Sequence, residues 1–418
     1  MGLTFAEKIL SDKAGKLVVP GEIIEITPDW AMSHDNTAAI SKTFYDIGVD
    51  KLYNPDLHII VLDHCTPAAN EKYAQNHKIV REFVKKQGIE KFYDINAGIC
   101  HQVMAEEGYG LPGTVIVGSD SHTTHLGAFG AFSTGIGRSE MAVIMASGKI
   151  WFRVPESMRV ILLGSPPGGV FPKDVALYIV GKIGADGAIY RSIEFSGPYL
   201  ESLSMDYRVV FSNLSVEMGA KNGYIKPDDK TFAYLALRTK RAYQPVYPDP
   251  DAEYIENAEI DITNIAPQVA CPNTVDNVKP IGEVVGTPVD EAFFGTCNGS
   301  RLVDWKVVAS ILKGRKIHPD TRLICIPAST RVYMDALNAG YVRTIMEAGG
   351  IVENAGCGPC LGAHQGVPAP GEVVISTANR NFKGRMGSRE AEIYLASPAT
   401  VAASAIKGVI SDPREFLL

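Results

Sequence analysis

Apolar positions along the first third of the chain change period several times. The unbroken runs in "LHIIVLDHC" and "GTVIVGSDSHTT" predict buried strands, whereas "NEKYAQNHKIVREFVKKQG" has helical spacing and a glycine stop at Gly88. The opening "MGLTFAEKILSDKAGK" reads as a short amphipathic helix. Prolines and glycines punctuate "FRVPESMRVILLGSPPGG", and a new series follows with the strand "MRVILLG" and the helix "PKDVALYIVGKIG". The polar, proline-rich "YQPVYPDPDAEYIENAEIDITNIAPQ" is expected to be a hinge or linker. Beyond it "EAFFGTC", "TRLICIPAS" and "EVVISTANR" predict buried strands, with "RLVDWKVVASILKGRK" and "RVYMDALNAGYVRTIMEAGG" as helices between them. No internal repeat is evident. Strand and helix in alternation mark an α/β fold, and the breaks divide the chain into three α/β lobes, 1–155, 156–268 and 269–418.

Composition narrows the function. The 418 residues are 46% hydrophobic and 21% charged, enough for a large core spread over more than one domain. A formal net charge of -7 leaves no broad basic surface for nucleic acid or an anionic membrane, so the expected partner is a small molecule or another protein. There is no apolar run of about 18 residues and no basic-then-apolar leader; the chain reads as cytosolic. Seven cysteines, an odd and modest number, argue against a secreted disulfide framework and leave thiols for metal or catalysis.

The chemistry-bearing clusters fall at the ends of predicted strands: Asp63-His64, Asp120-Ser121-His122, Cys297 and Asn379-Arg380. Active sites of α/β lobes lie at the carboxyl ends of strands, so several lobes are expected to face one cleft. His34 in "SHDNTA" and His101 in "ICHQV" add imidazoles beside polar partners, and an acid next to a histidine sets its tautomer and tunes its proton affinity. Cys357-Gly-Pro-Cys360 alone is open to three readings: a redox pair, half a zinc site or a plain loop. Cys297, among small residues in "FFGTCNGSR", adds a thiol, and three thiolates would suit an iron-sulfur cluster with one iron lacking a protein ligand. The alternative for Cys297 is a small buried hydrophobe. Arg380 and Arg385 in "NRNFKGRMGS" could form a fork for carboxylates or a solvated basic loop.

The tail "GCGPCLGAHQGVPAPGEVVISTANRNFKGRMGSREAEIYLASPATVAASAI" closely resembles the second signature region of the aconitase superfamily, in the branch holding the large subunits of 3-isopropylmalate dehydratase and homoaconitase. The resemblance continues through "GSDSHTTHLGAFGAFSTGIGRSEMA", "NLSVEMGAKNG" and "CPNTVDNVKPIG", and so covers essentially the whole chain. It implies three lobes of aconitase type around a central cleft with one [4Fe-4S] cluster held by Cys297, Cys357 and Cys360. It also implies a catalytic set of Asp63, His64, His101, Asp120, His122 and Glu217, with His34, Asn213, Asn379, Arg380 and Arg385 on the substrate. The implied activity is that of a hydro-lyase, removing and re-adding water on a 2-hydroxy di- or tricarboxylate, with 3-isopropylmalate of leucine biosynthesis the first expectation and the homoaconitase or 2,3-dimethylmalate and methylmalate dehydratase substrates the alternatives.

Single-chain aconitases carry a fourth, swivelling lobe that supplies a serine-type base and a further arginine, and this sequence stops at "ASAIKGVISDPREFLL". The expected partner is therefore a separate small swivel-type subunit, in a heterodimer or a dimer of heterodimers. One departure stands out: Cys297 is followed by Asn298-Gly299-Ser300-Arg301 where most relatives have Thr-Asn-Gly-Arg, which leaves open what this loop contacts. Some superfamily members bind RNA after losing their cluster, but the acidic charge weighs against that class here. The many acid-base residues weigh against a purely redox protein.

Overall fold

A computed structural model describes residues 2–417. Its architecture is three mainly parallel sheets with helices packed around them, and a two-stranded antiparallel ribbon of Ile23–Ile26 and Ile150–Arg153. The first sheet has five parallel strands in the order Phe92–Tyr93, His58–Val61, Trp30–Ser33, Val115–Gly118, Phe132–Gly135. Every residue of His58–Val61 and of Val115–Gly118 is buried, because a parallel sheet is covered on both faces; this is why their sequences run apolar without alternation. Helix Glu71–Gln87 begins on the Asn70 side chain, which accepts from Tyr73 N, and ends at Gly88 in the left-handed region.

The second sheet is also parallel, in the order Asn222–Ile225, Ser192–Ser196, Ser157–Leu163, Glu256–Asp261. Its last strand corrects the expected linker. Glu256–Asp261 lies at the sheet edge with most of its side chains exposed, so its sequence is polar although its backbone is paired along Ser157–Leu163. The residues before it are a strap rather than a hinge. Val246 O accepts from the Tyr224 hydroxyl, Asp249 accepts from Leu3 N, and Arg241 donates to Glu107 O, fastening the segment to parts of the chain far away in sequence.

The third sheet has seven strands. Ile351–Val352, Arg322–Cys325, Glu291–Phe294, Val373–Ser376 and Glu392–Leu395 run parallel, and Gln268–Ala270 and Val278–Pro280 add an antiparallel edge. The expected single helix over "RVYMDALNAGYVRTIMEAGG" is two, Thr330–Asn338 and Tyr341–Ala348, because Gly340 between them adopts φ 78°. One apolar core runs through all three sheets, from Ile59 and Leu126 through Val160 and Phe211 to Phe293 and Met386, so the sheets form a continuous rigid scaffold. Four strand exits point into the space between them: those that lead to Asp63, Asp120, Cys297 and Asn379. Among the described residues no helix is long and apolar enough to cross a membrane.

Candidate active site

Cys297 follows strand Glu291–Phe294 through Thr296, which sits in the left-handed region at φ 74°. That conformation costs a β-branched residue about 1–2 kcal/mol. Thr296 Oγ1 offsets it by donating to Thr377 O at 3.3 Å and accepting from Asn298 N at 3.3 Å. The buried Arg301 donates to the Cys297 carbonyl and closes the loop. Across the cavity, Cys360 lies in the 3-10 turn Gly358–Leu361 with Cys357 as its cap. Gly358 has φ 54°, and a Cβ there would stand 2.1 Å from Ile326 Cδ1, so the turn needs glycine on both counts. Cys357 N donates to Asp63 O at 3.0 Å, which fastens the cysteine turn to the first sheet.

The three thiols form one wall of a small cavity whose opposite wall is His64, His101, Asp120 and His122. Asn379, Arg385 and Cys100 also border it. All seven cysteines are free thiols. Cys297 Sγ accepts from Asn213 Nδ2 and Asn379 Nδ2, both at 3.3 Å, and Arg385 Nη2 lies 3.7 Å from Cys360 Sγ. Burial pushes the Cys297 thiol up to about 11, against the pull of the Asn379 and Asn213 amides, and raises Cys357 well above the usual thiol range. Burial of this degree disfavours bare thiolates, whereas N–H groups aimed at sulfur suit thiolates bound to a soft metal. Asn379 Oδ1, Asn298 Oδ1 and Arg385 Nε are buried without a protein partner. The donor set fits an iron-sulfur cluster: three sulfur ligands at one cavity, hydrogen-bond donors behind the sulfurs, and polar atoms free to meet a further group.

The opposite wall is a chain of acid-histidine contacts. His64 Nδ1 pairs with Asp63 Oδ1, and its Nε2 faces Asp120 Oδ2 at 3.4 Å. Asp120 Oδ1 meets His101 Nε2 at 2.8 Å and accepts from His122 N at 2.8 Å. His122 Nε2 meets Glu217 Oε1 at 2.8 Å, and Glu217 in turn accepts from Arg380 Nε at 2.8 and 3.0 Å. His34 stacks on His64 with ring centres 4.0 Å apart. Burial alone would depress His64, but Asp63 and Asp120 outweigh it and hold its proton affinity well above that of an ordinary histidine. His34 goes the other way: burial, then the charge of His64, push it down to about 4. Burial would raise Asp120, yet its contacts with His101, His122 and His64 hold it well below the usual carboxylate range. The result is a protonated imidazole beside a neutral one, flanked by ionised acids.

This constellation, set at strand ends of the first and third sheets with Asn213 and Glu217 reaching in from helix Met205–Leu214 and the turn after it, meets an independent match along the sequence. The family model for the aconitase family (aconitate hydratase) matches residues 7–288 and 282–408. The chain belongs to the aconitase family. Among its relatives is "3-isopropylmalate dehydratase large subunit 1" of Methanopyrus kandleri, 49% identical over 418 residues and covering all of both chains. "Probable methanogen homoaconitase large subunit" of Methanothermobacter thermautotrophicus is 49% identical over 419 residues, covering 99% of this chain and 98% of that one. The solved structure of aconitase X from Thermococcus kodakaraensis, in its holo form, has a TM-score of 0.50 at 14% identity, covers 90% of this chain and 89% of its own, and supports the fold alone.

In this aconitase-family chain the fourteen residues singled out from the sequence lie on or beside one cavity. The two arginines face different partners: Arg380 is on Glu217, whereas Arg385 is near Cys360. Other contributors carry no sequence signal of their own. Asp35 accepts from Asp63 N and His64 N, both at 2.9 Å, and contacts His77 Nε2 at 2.9 Å, so it shapes the turn that presents His64. The altered loop now has a contact: Asn298 Nδ2 donates to Asn213 Oδ1 at 3.2 Å, and so orients the amide that reaches Cys297. His125, buried against Asn213 Nδ2 at 3.1 Å, stands behind the same amide. The Asp35 position within "SHDNTA" was the one legible hint, since an acid beside a histidine is a common orienting pair.

Proposed function

We propose that this chain is the large subunit of an iron-sulfur hydro-lyase acting on a 2-hydroxy di- or tricarboxylate, and that its substrate is 3-isopropylmalate, isomerised for leucine biosynthesis in the cytosol. The observation that carries this reading is the meeting of Cys297, Cys357 and Cys360 with the His64–Asp120–His101 and His122–Glu217–Arg380 contacts at one cavity in an aconitase-family chain. Cys297, Cys357 and Cys360 would hold one [4Fe-4S] cluster, which when bound supplies a Lewis acid for the substrate hydroxyl. Of the three lobes, divided at 1–155, 156–268 and 269–418, the first and third supply the walls, and the second supports them through Asn213 on Cys297 and Glu217 on His122.

His64 keeps a proton at neutral pH because Asp63 and Asp120 stabilise its charged form, so it can deliver that proton to a departing hydroxyl, which leaves as water. His101 and His122 hold Asp120 ionised and fixed, which keeps His64 oriented. Arg385 has a buried Nε without a protein partner, suited to a substrate carboxylate. Arg380 keeps its terminal nitrogens for a second carboxylate while its Nε holds Glu217. Asn213 and Asn379 steady Cys297. His34, uncharged, gives the substrate a neutral hydrogen-bonding edge against the His64 ring.

His34 and His64 also line a second cleft that opens to solvent beside Arg138 and Leu361, and this is the side we assign to a small swivel-type subunit that supplies the base removing the substrate proton. The assembly would be a heterodimer or a dimer of heterodimers; the names of the relatives, each a large subunit, support this. Homoaconitase is the second reading, favoured by the equal identity to the methanogen relative so named. The test is reconstitution with the small subunit and an absorbance assay on a panel of unsaturated diacids. Turnover of isopropylmalate is expected; preference for the longer tricarboxylates would transfer the assignment to homoaconitase. Cys357→Ser should lose the brown cluster and all activity while folding normally, and retained iron, sulfide and turnover would overturn the cluster reading.

A further inference from the structure

A buried lysine stands behind the cysteine loop with no acid to pair with. Lys173 is the second residue of helix Pro172–Ile183, which packs against helix Met205–Leu214 and the antiparallel edge of the third sheet, and it is only 2% exposed. Among the described residues no carboxylate lies within ion-pair distance of its ammonium. Its neighbour Asp174 is committed elsewhere: that carboxylate accepts from Phe171 N at 2.8 Å and Gln268 N at 3.1 Å, and burial pushes it up to about 7. A cation in the first turn of a helix also opposes the positive end of the helix dipole. Burying an unpaired ammonium costs several kcal/mol, so something else must offset it.

Two backbone carbonyls do part of this. Lys173 Nζ donates to Ala378 O at 3.1 Å and Thr377 O at 3.4 Å. These are the two residues that immediately precede Asn379 and Arg380. Thr377 Oγ1 also donates to Gly295 O at 2.8 Å and accepts from Gly295 N at 2.9 Å, two residues before Cys297. The lysine therefore grips the point where the Asn379–Arg380 arm and the Cys297 arm are knotted together. Burial lowers the proton affinity of Lys173 to about 8, which leaves it mostly charged at neutral pH.

We propose that Lys173 is a positioning residue for the cluster site: its ammonium, carried across from the second lobe, fixes the Thr377–Ala378 carbonyls, and with them the Asn379–Arg380 arm and the Cys297 arm, and places one positive charge behind the cysteine loop. This rests on the reading that the three cysteines bind a cluster. It assigns Lys173 no contact with substrate. Its effect reaches the reaction through the placement of Asn379 and Arg380 and through the charge felt by the cluster.

The experiment compares Lys173→Gln, which keeps an N–H donor and removes the charge, with Lys173→Met, which removes both, and Lys173→Arg, which keeps the charge. Each is read in the reconstituted complex by iron and sulfide content, release of iron to a chelator, cluster reduction potential and melting temperature. Loss of a nearby cation disfavours adding an electron, so the potential of Lys173→Gln should fall, and its iron should leave at least about tenfold faster. Its melting temperature should change little, and kcat should drop more than KM rises. Lys173→Arg should stay near the wild-type potential. If Lys173→Met fails to fold, the Gln and Arg variants decide the matter. A wild-type potential and chelator rate in Lys173→Gln would overturn the proposal and leave the cluster reading intact. Absence of iron from the wild-type complex would overturn the cluster reading itself, and this inference with it.

Discussion

The two walls of the cavity are built on different plans. On the histidine wall the titratable groups satisfy one another: His64 lies between Asp63 and Asp120, Asp120 also serves His101 and the His122 backbone, and His122 leads to Glu217. On the thiol wall the contacts lie behind the sulfurs, in amide and guanidinium N–H groups and in backbone knots such as Arg301 on the Cys297 carbonyl. The first wall fixes where protons reside. The second fixes where sulfur atoms reside and leaves them facing the cavity. A substitution on one wall should therefore change the pH profile without changing metal content, and a substitution on the other should do the reverse.

Asp120→Asn should separate the walls most sharply. Its carboxylate supports His64, so its loss should lower kcat/KM by about 10²–10⁴-fold, the usual range for acid-base groups, with iron and sulfide content unchanged. The sign of the pH effect is fixed: Asp120 raises the proton affinity of His64, so without it His64 loses its proton at lower pH and the alkaline limb of the rate profile moves down. An unmoved limb, or parallel loss of iron, would break the division between the walls.

Asp35→Asn should act one layer further out. Burial opposes the Asp35 charge, but contact with His77 and the nearby His64 and His34 hold this carboxyl far below its ordinary value. Removing a charged hydrogen-bond acceptor at a buried site costs about 2–4 kcal/mol, which thermal or urea unfolding would read. A carboxyl with a depressed folded-state pKa stabilises most above its unfolded value near 4 and loses that contribution as pH falls through the folded value. The stability gap between wild type and variant should therefore be full at neutral pH and close in strong acid. The smallest effect is expected from Asn298→Thr, which installs the residue common among relatives. It removes the amide that orients Asn213, so iron should bind about tenfold more weakly, the lower end for such supporting contacts, while the pH profile stays in place.

Much of this was legible in the sequence for physical reasons. Strands covered on both faces must be apolar throughout, so His58–Val61, Val115–Gly118 and Glu291–Phe294 stand out as runs. The edge strand Glu256–Asp261 was hidden because its side chains face solvent, and the break at Gly340 because apolar spacing continues across it. Cysteines, histidines and acids at strand ends announce themselves by residue type. Lys173 does not, and Asp35 and Asn298, although visible as residues, gave no sign of their partners, since each works on a backbone group or an amide far away in sequence. Lys173 reaches a carbonyl 205 positions on, and Asn298 an amide 85 positions back, and no local pattern encodes either.

The bond from Cys357 N to Asp63 O spans 294 positions, and that distance becomes a delay during synthesis. The cavity-lining His64, His101, Asp120 and His122 are all made by residue 122, whereas the last of the three thiols is residue 360. At about 5–20 residues per second the ribosome takes roughly 10–50 s to cover that interval. Throughout it, Cys297, Cys357 and Cys360 are not yet all present to face the histidine wall. Closure of the two walls on each other is therefore an event of the last stage of translation or later.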